Sequence, residues 1–212
     1  PKVDILFADL GLSSPHIDDP KRGFTFRADA PLDLRYDQSS GISAAELIVK
    51  SDEDELASIF RKYGQLEGAF RLALEIKKSE VATTFALKEC AENVYKFRAP
   101  SKLPQVFQAL RIAVNHEIDA VNVLLEIGPD LLKLGGRMGI ITYHSLEDRP
   151  VKHVFRALCT DEKYEQTGGV SKEADFTLLT RKPLLPSAEE ITNNPRSRSA
   201  KLRAIKKKVV LA

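Results

Sequence analysis

The spacing of apolar residues predicts short buried strands separated by amphipathic helices. Three apolar runs are typical of strands in an α/β sheet: 3–10 (VDILFADL), 137–144 (RMGIITYH) and 175–182 (DFTLLTRK). Between the first two strands, apolar residues recur three and four apart in three segments of 51–95 and again over 106–127. A further helix is predicted after the second strand, capped by Ser145. This order predicts the second half of a doubly wound parallel sheet with a helical insertion.

The distribution of Gly, Pro and Ser sets the expected domain boundaries. Residues 12–42 are rich in these types and lack periodicity, which predicts an ordered but irregular loop of the kind that is usually functional. Pro104 precedes the long helical pattern. We therefore expect residues 1–17 and 105–212 to form one domain, and residues 18–104 to form the loop and an inserted helical domain.

Composition narrows the class of protein. The 212 residues are 43% hydrophobic and 29% charged, as in soluble globular proteins. No apolar run approaches the roughly 18–20 residues that cross a bilayer, so no membrane partner is expected. The two cysteines, Cys90 and Cys159, lie far apart in helix-like stretches, which is typical of reduced thiols in a cytoplasmic protein.

Positive charge is concentrated near the end of the sequence. From Arg181 onward there are nine Lys and Arg against two Asp and Glu, although the net charge of the whole chain is only +2. A basic tail on a mildly acidic body predicts a polyanionic partner. A tail that only improves solubility is an equally open interpretation.

Two candidate residues lie at and after the first strand. Asp9 stands at its carboxyl end, where α/β folds place their chemistry, although it could also cap the following turn. His16 lies in the loop beyond, where a single histidine is more often an ordinary solvated residue.

A second group of candidates lies where the second strand turns into a helix. Ser145 and Asp148 fit a capping box, which leaves His144 and Arg149 without a structural explanation. A helix N-terminus also favours anions such as phosphate. Further along, basic residues alternate with small ones, a pattern suited to binding phosphates, with a disordered tail as the alternative. The basic residues are Arg196, Arg198, Lys201 and Arg203. The sequence contains no Walker loop, CxxC or HExxH motif, so no metal site is predicted.

Four segments, in order, resemble one family, the bacterial small-subunit ribosomal RNA (cytosine-N4) methyltransferases. They are DLGLSSPHIDD with GFTFRADAPLDLRYD, VFQALRIAVNHEID, GGRMGIITYHSLEDRPVK and NPRSRSAKLR. The resemblance covers nearly the whole chain. The chain differs from the expected pattern in three places. His16 stands where the family more often has Gln, and Tyr143 stands where it has Phe. Pro104-Gln105-Val106 stands before the FQALRI run, where Arg-Thr is expected.

This resemblance implies a class I (Rossmann-like) methyltransferase sheet with an inserted helical domain. It implies transfer of a methyl group from S-adenosylmethionine to the N4 amine of a cytidine in 16S ribosomal RNA, with free small-subunit ribosomal RNA or the assembled small subunit as partner. Asp9 and His16 correspond to positions that contact the cofactor. The family also carries strands and a Gly-rich cofactor loop before the position of Asp9. We therefore expect an N-terminally truncated sheet and, for this chain alone, no activity.

Several roles stay open at this level. The N4 amine is a poor nucleophile, so a hydrogen-bond acceptor for its protons is expected: Asp9 or a backbone carbonyl near Leu10. If Asp9 binds the cofactor instead, His144 or Asp148 becomes the expected substrate partner. Residues proposed to hold RNA are Arg149, Arg196, Arg198, Lys201 and Arg203, together with basic residues of the insertion, Lys77, Lys78, Arg98 and Lys102. The alternative is a non-catalytic protein that binds RNA or assembling ribosomes, and the oligomeric state is open, with a homodimer as one possibility.

Overall fold

A computed structural model describes residues 1–164 and 168–209. The chain divides into two compact units, a sheet unit of Pro1–Gly11 with Ile118–Ala212 and a helical unit of Leu12–Glu117. These boundaries differ from the expected ones at 17/18 and 104/105. Within the described residues, no helix combines the length and the apolarity that spanning a membrane requires.

The strands all belong to the sheet unit. They are β1 (Val3–Asp9), β2 (Leu132–Thr142), β3 (Glu162–Lys163), β4 (Val170–Lys172), β5 (Phe176–Leu178) and β6 (Lys201–Lys207). The main sheet has the order β1-β2-β6-β5, and β3 and β4 form a separate hairpin. The helices are α1 (Ser14–Asp18), α2 (Ala44–Lys50), α3 (Glu53–Gly64), α4 (Ala69–Lys78), α5 (Thr84–Tyr95), α6 (Ala99–Asn115), α7 (Glu117–Ile127), α8 (Ser145–Leu158) and α9 (Ala188–Asn193).

The predicted α/β class is confirmed, but the sheet is mixed rather than parallel. β1 and β2 are parallel, whereas β6 runs antiparallel to both β2 and β5. The segment predicted as an extended tail is therefore a central strand, with Arg203 and Ile205 buried on one face. Its alternation was hidden because lysines and arginines occupy most of its positions. The sheet unit's core joins this strand to β2 and α8 through Ile140, Val151 and Phe155.

β2 begins five residues earlier than predicted, because the Gly pair that suggested a break lies inside the strand. The pairing with β1 shifts register between Val3 and Ile5, which marks a bulge. Gly135 has φ +79, a left-handed conformation that glycine adopts at little cost. A Cβ on Gly136 would lie only 2.8 Å from the Lys133 carbonyl oxygen. Glycine is thus required here for an irregular strand rather than for a loop.

The helical unit is built from α1 to α6 around one hydrophobic core. The three helices predicted over 51–95 are present as α3, α4 and α5, although Asp52 rather than Ser51 caps α3. The core includes Phe60, Leu72, Leu87 and Leu110, each fully buried. α2 was not predicted, although Ser43 and Glu46 form a capping box at its start.

The long helix predicted over 106–127 is two helices. α6 begins upstream of Pro104 and ends at Asn115, and His116 then adopts a left-handed φ of 50° before α7 starts. α6 packs against α3 and α5, so it belongs to the helical unit. This continuous helix moves the unit boundary from 104/105 to 117/118.

Candidate active site

Parallel pairing brings the carboxyl ends of β1 and β2 together. Asp9 pairs in register with Ile141, and Tyr143 follows directly after β2. The Tyr143 hydroxyl donates a hydrogen bond of 3.0 Å to Asp9 Oδ1. Burial, followed by the hydrogen bond and negative charge of Asp9, raises the pKa of Tyr143 to about 12. The phenol therefore stays protonated at neutral pH and orients an exposed carboxylate at the sheet edge.

Glu147 organises the turn from β2 into α8. This residue is 1% exposed. Its Oε2 accepts the backbone N–H groups of Tyr143 (2.8 Å) and His144 (3.4 Å), and its Oε1 lies 3.2 Å from His144 Nε2. His144 is the N-cap of α8 and Glu147 the third helical residue, so the prediction that Ser145 caps the helix with Asp148 is wrong by one position. Sequence reasoning missed Glu147 for this reason, although its spacing from His144 contained the signal.

The structure brings Asp148 and Arg203 together in an ion pair. Arg203 Nε and Nη2 donate to the two carboxylate oxygens of Asp148 at 2.7 and 3.1 Å, and both residues are 9% exposed. Burial raises the pKa of Asp148, but the hydrogen bond and charge of Arg203 outweigh it, so the pKa lies below its usual value. Lys201 Nζ lies 3.8 Å from the same carboxylate. A residue predicted to be catalytic and one predicted to bind RNA thus bind each other.

The other predicted RNA-binding arginines lie on the surface. Arg149 is exposed on the first turns of α8, and Arg196 and Arg198 are exposed on a short 3-10 turn over Pro195–Ser199. That turn is anchored by buried Ser197, whose hydroxyl donates to the Asn194 carbonyl at 2.8 Å. The segment is therefore ordered, and Arg196 and Arg198 are exposed on it.

His16 belongs to the helical unit, where it packs in a group of aromatic rings. Its ring centroid lies 5.1 Å from that of Tyr36 and 5.5 Å from that of Phe24. Its Nδ1 lies 2.9 Å from the Ser13 hydroxyl. Burial and the positive charge of Arg22 lower its pKa, so the imidazole is neutral at pH 7.

One asparagine orders the loop that carries these rings. Asn115 donates to the Leu34 carbonyl and accepts the Tyr36 backbone N–H, both at 2.7 Å. The Tyr36 hydroxyl also donates a hydrogen bond of 3.0 Å to Glu117 Oε1. Arg111 Nε and Nη2 donate to the two carboxylate oxygens of Glu117 at 2.8 and 3.0 Å. The expected irregular loop is thus fixed to the end of α6 by partly buried polar contacts.

Lys77, one of the predicted RNA contacts of the insertion, is used within the fold. Its ammonium donates to the carbonyls of Ile48, Val49 and Ser51 at 3.2, 3.3 and 2.8 Å. These carbonyls end α2, where a cation is favoured by the helix dipole. The lysine therefore caps a helix.

The chain matches the MraW methylase family over residues 1–208. It is 45% identical over 205 residues to ribosomal RNA small subunit methyltransferase H of Cyanothece sp. (strain PCC 7425), covering 95% of this chain and 65% of that protein. The protein of the same name from Bacteroides fragilis is 42% identical over 98% of this chain and 70% of its own length. That of Synechococcus elongatus is 42% identical over 93% and 64%.

The chain thus spans about two thirds of the length of these relatives, at 64% to 70%. The resemblance carried by the four sequence segments is confirmed, and the mixed α/β sheet agrees with a class I methyltransferase fold. The chain belongs to the MraW methylase family.

Proposed function

We propose that this chain supplies part of the active site and of the RNA-binding surface of an S-adenosylmethionine-dependent methyltransferase. Its substrate is the N4 amine of a cytidine in small-subunit ribosomal RNA, either free or in the assembled subunit. The observation that carries this proposal is the Asp9 carboxylate, exposed at the carboxyl end of β1 and oriented by Tyr143.

The chemistry of the reaction requires such a group. The lone pair of the N4 amine is delocalised into the cytosine ring, so an acceptor for its protons would localise that pair and increase nucleophilicity. In-line positioning supplies most of the remaining rate increase. An exposed carboxylate with one oxygen hydrogen-bonded still has lone pairs for an amine. The target base must leave any stack in order to reach it.

The residues present fit the charge of the proposed cofactor. S-adenosylmethionine supplies an electrophilic methyl group on a positively charged sulfonium, and it also carries an ammonium group. An exposed carboxylate at Asp9 attracts either cation. The lowered pKa of His16 keeps its ring neutral, so this second proposed contact adds no repelling charge.

The contacts of the remaining candidates separate their proposed roles. Asp148 has both oxygens occupied by Arg203, so we assign this pair to holding α8 against β6 rather than to proton transfer or RNA binding. His144 is oriented by Glu147 and is the stronger second candidate beside Asp9. Arg149, Arg196, Arg198 and Lys201 remain the proposed RNA contacts.

Localisation follows from the proposed substrate. A protein that modifies bacterial ribosomal RNA works in the cytoplasm, and the two thiols, Cys90 and Cys159, are both free. Homodimer formation stays a hypothesis, which the sedimentation of the full-length protein would test.

The decisive experiment is transfer of labelled methyl groups from S-adenosylmethionine to unmodified small ribosomal subunits by the full-length protein. We expect label on one cytidine. Asp9→Asn should lower kcat by about 10²–10⁴ if Asp9 accepts the amine proton. If Asp9 instead holds the cofactor, the KM for S-adenosylmethionine should rise while kcat changes little.

Asp4→Asn is the matched control, because Asp4 lies in the same strand and is exposed at its opposite end. It should leave both constants unchanged. RNA binding without any methyl transfer by the unmodified full-length protein would contradict the proposal and favour a non-catalytic role.

A further inference from the structure

Basic side chains converge on a small cavity of the sheet unit. The cavity has a volume of about 280 Å³. α8 contributes Lys152 and Arg156, the segment after β5 contributes Thr180 and Arg181, and β6 contributes Arg203. The lining includes no acidic residue.

Most of this positive charge is not balanced by the protein. Arg203 is neutralised by Asp148. Lys152, Arg156 and Arg181 are exposed, and none of the three forms an ion pair with a carboxylate in the part of the chain that the structure describes. Three cations around one cavity repel one another, which an anion in the cavity would relieve.

Helix α8 keeps two of these positive charges close to each other. Lys152 and Arg156 lie one helical turn apart on α8, and like charges at this spacing destabilise a helix. Asp148, one turn earlier on the same face, is already occupied by Arg203. Thr180 accepts the Ala204 backbone N–H at 3.0 Å, which leaves its own hydroxyl proton to donate. The cavity therefore offers three cations and a neutral donor, a set suited to phosphate.

We propose that this cavity binds a backbone phosphate of the substrate RNA. The inference rests on the proposed function for the nature of the anion. It adds a contact outside the predicted RNA-binding residues, because Lys152, Arg156 and Arg181 are not among them. The site takes a phosphodiester and carries no base specificity.

The test measures RNA binding by the full-length protein as a function of salt. Arg181→Gln should weaken binding of a small-subunit ribosomal RNA transcript about three- to tenfold and lower the slope of log affinity against log salt by about 0.7, the loss of one phosphate contact. Lys152→Gln, on a different element, should do the same. Lys182→Gln is the matched control, because this exposed lysine adjoins Arg181 but does not line the cavity. Unchanged binding in both cavity variants, or an equal loss with Lys182→Gln, would overturn the site.

A second measurement separates RNA from free phosphate. Chemical modification of Arg181 by an arginine-specific dicarbonyl, followed by mass spectrometry, should be blocked by the RNA transcript. Inorganic phosphate at the same concentration of phosphate groups should protect weakly. Equal protection by both would overturn the assignment to RNA.

Methyl transfer measured on the same preparations distinguishes this inference from the proposed function. An active protein whose cavity variants bind RNA normally would refute the cavity site alone. An inactive protein whose cavity variants lose RNA affinity would refute the proposed function and support the cavity site.

Discussion

The hydroxyl of Tyr143 donates to Asp9 Oδ1 over 3.0 Å, joining the carboxyl ends of two parallel strands that lie more than a hundred residues apart in sequence. The resemblance to the family predicts phenylalanine at Tyr143, which has no such donor. Tyr143 thus supplies a hydrogen-bond donor at the residue on which the proposed chemistry depends.

The raised pKa of Tyr143 has a measurable consequence. In a phenolate absorbance titration, one tyrosine should ionise near pH 12, and Tyr143→Phe should remove it. Because the pKa is higher in the folded protein than the ordinary value of about 10, this group's contribution to stability is complete below pH 10 and is lost between about pH 10 and pH 12. The alkaline loss of stability should be shallower in Tyr143→Phe. A titration of Tyr143 at the ordinary pH would contradict the hydrogen bond.

Removal of the ion pair between Asp148 and Arg203 should strongly lower the free energy of unfolding. Arg203→Gln leaves a partly buried carboxylate without its partner and should lower the free energy of unfolding by about 2–4 kcal/mol, measured with urea. Arg198→Gln, which changes an exposed arginine nearby, should stay within about 0.5 kcal/mol. Since the pKa of Asp148 is lowered by folding, the wild type should lose this stabilisation as the pH falls below about 4, and the variant should not. Equal stability of the two variants would refute the structural role of the pair.

The hydrogen bonds of Asn115 should keep the loop over residues 12–42 ordered. Asn115→Ala removes the acceptor of the Tyr36 N–H and the donor to the Leu34 carbonyl, and should cost about 2 kcal/mol. Hydrogen exchange of the Tyr36 amide should accelerate in this variant. Asn93→Ala is the control, because the exposed Asn93 side chain donates a hydrogen bond to the Glu75 carboxylate at the surface. Slow exchange at Tyr36 in Asn115→Ala would show that another contact holds the loop.

The environment of His16 can be tested by nuclear magnetic resonance. Its pKa should lie below 6.5, and Arg22→Gln should raise it by removing one of the two causes of the shift, while burial remains. Arg22→Lys keeps the positive charge and should leave the pKa low. A rise of equal size in both variants would instead point to loss of the backbone contacts that Arg22 makes to the carbonyls of Arg35 and Tyr36, at 2.9 and 2.6 Å.

Patterns of local periodicity predicted most elements of this fold, and the misses have physical causes. α3, α4, α5 and α8 follow from apolar spacing, although the N-cap of α8 was misplaced by one residue. β6 was missed because lysine and arginine stems can lie along a sheet while their charges reach solvent, so composition hid the alternation. α2 is too short for its periodicity to stand out.

The sequence predicted that candidate residues lie at strand ends, but it did not predict which residues they contact. The positions of Asp9 and His144 at strand ends follow from the sequence, because α/β strands present their carboxyl ends together. The contacts of Asp9 with Tyr143, and of Asp148 with Arg203, depend on which strands are neighbours. That information is non-local, and no pattern within either segment contains it.

The central position of β6 in the sheet limits the order in which the two units can fold during synthesis. The helical unit is continuous in sequence and contains all the residues of its own core, so it can fold early as the chain leaves the ribosome. The sheet unit cannot, because in the described part of the chain β5 pairs with β6, and the buried Ile205 of β6 is synthesised after β1 to β5 and after the whole helical unit. Until then β2 presents an open edge and an incomplete core. Nascent chains stalled before β6 should therefore depend on chaperones, although the helical unit is already complete.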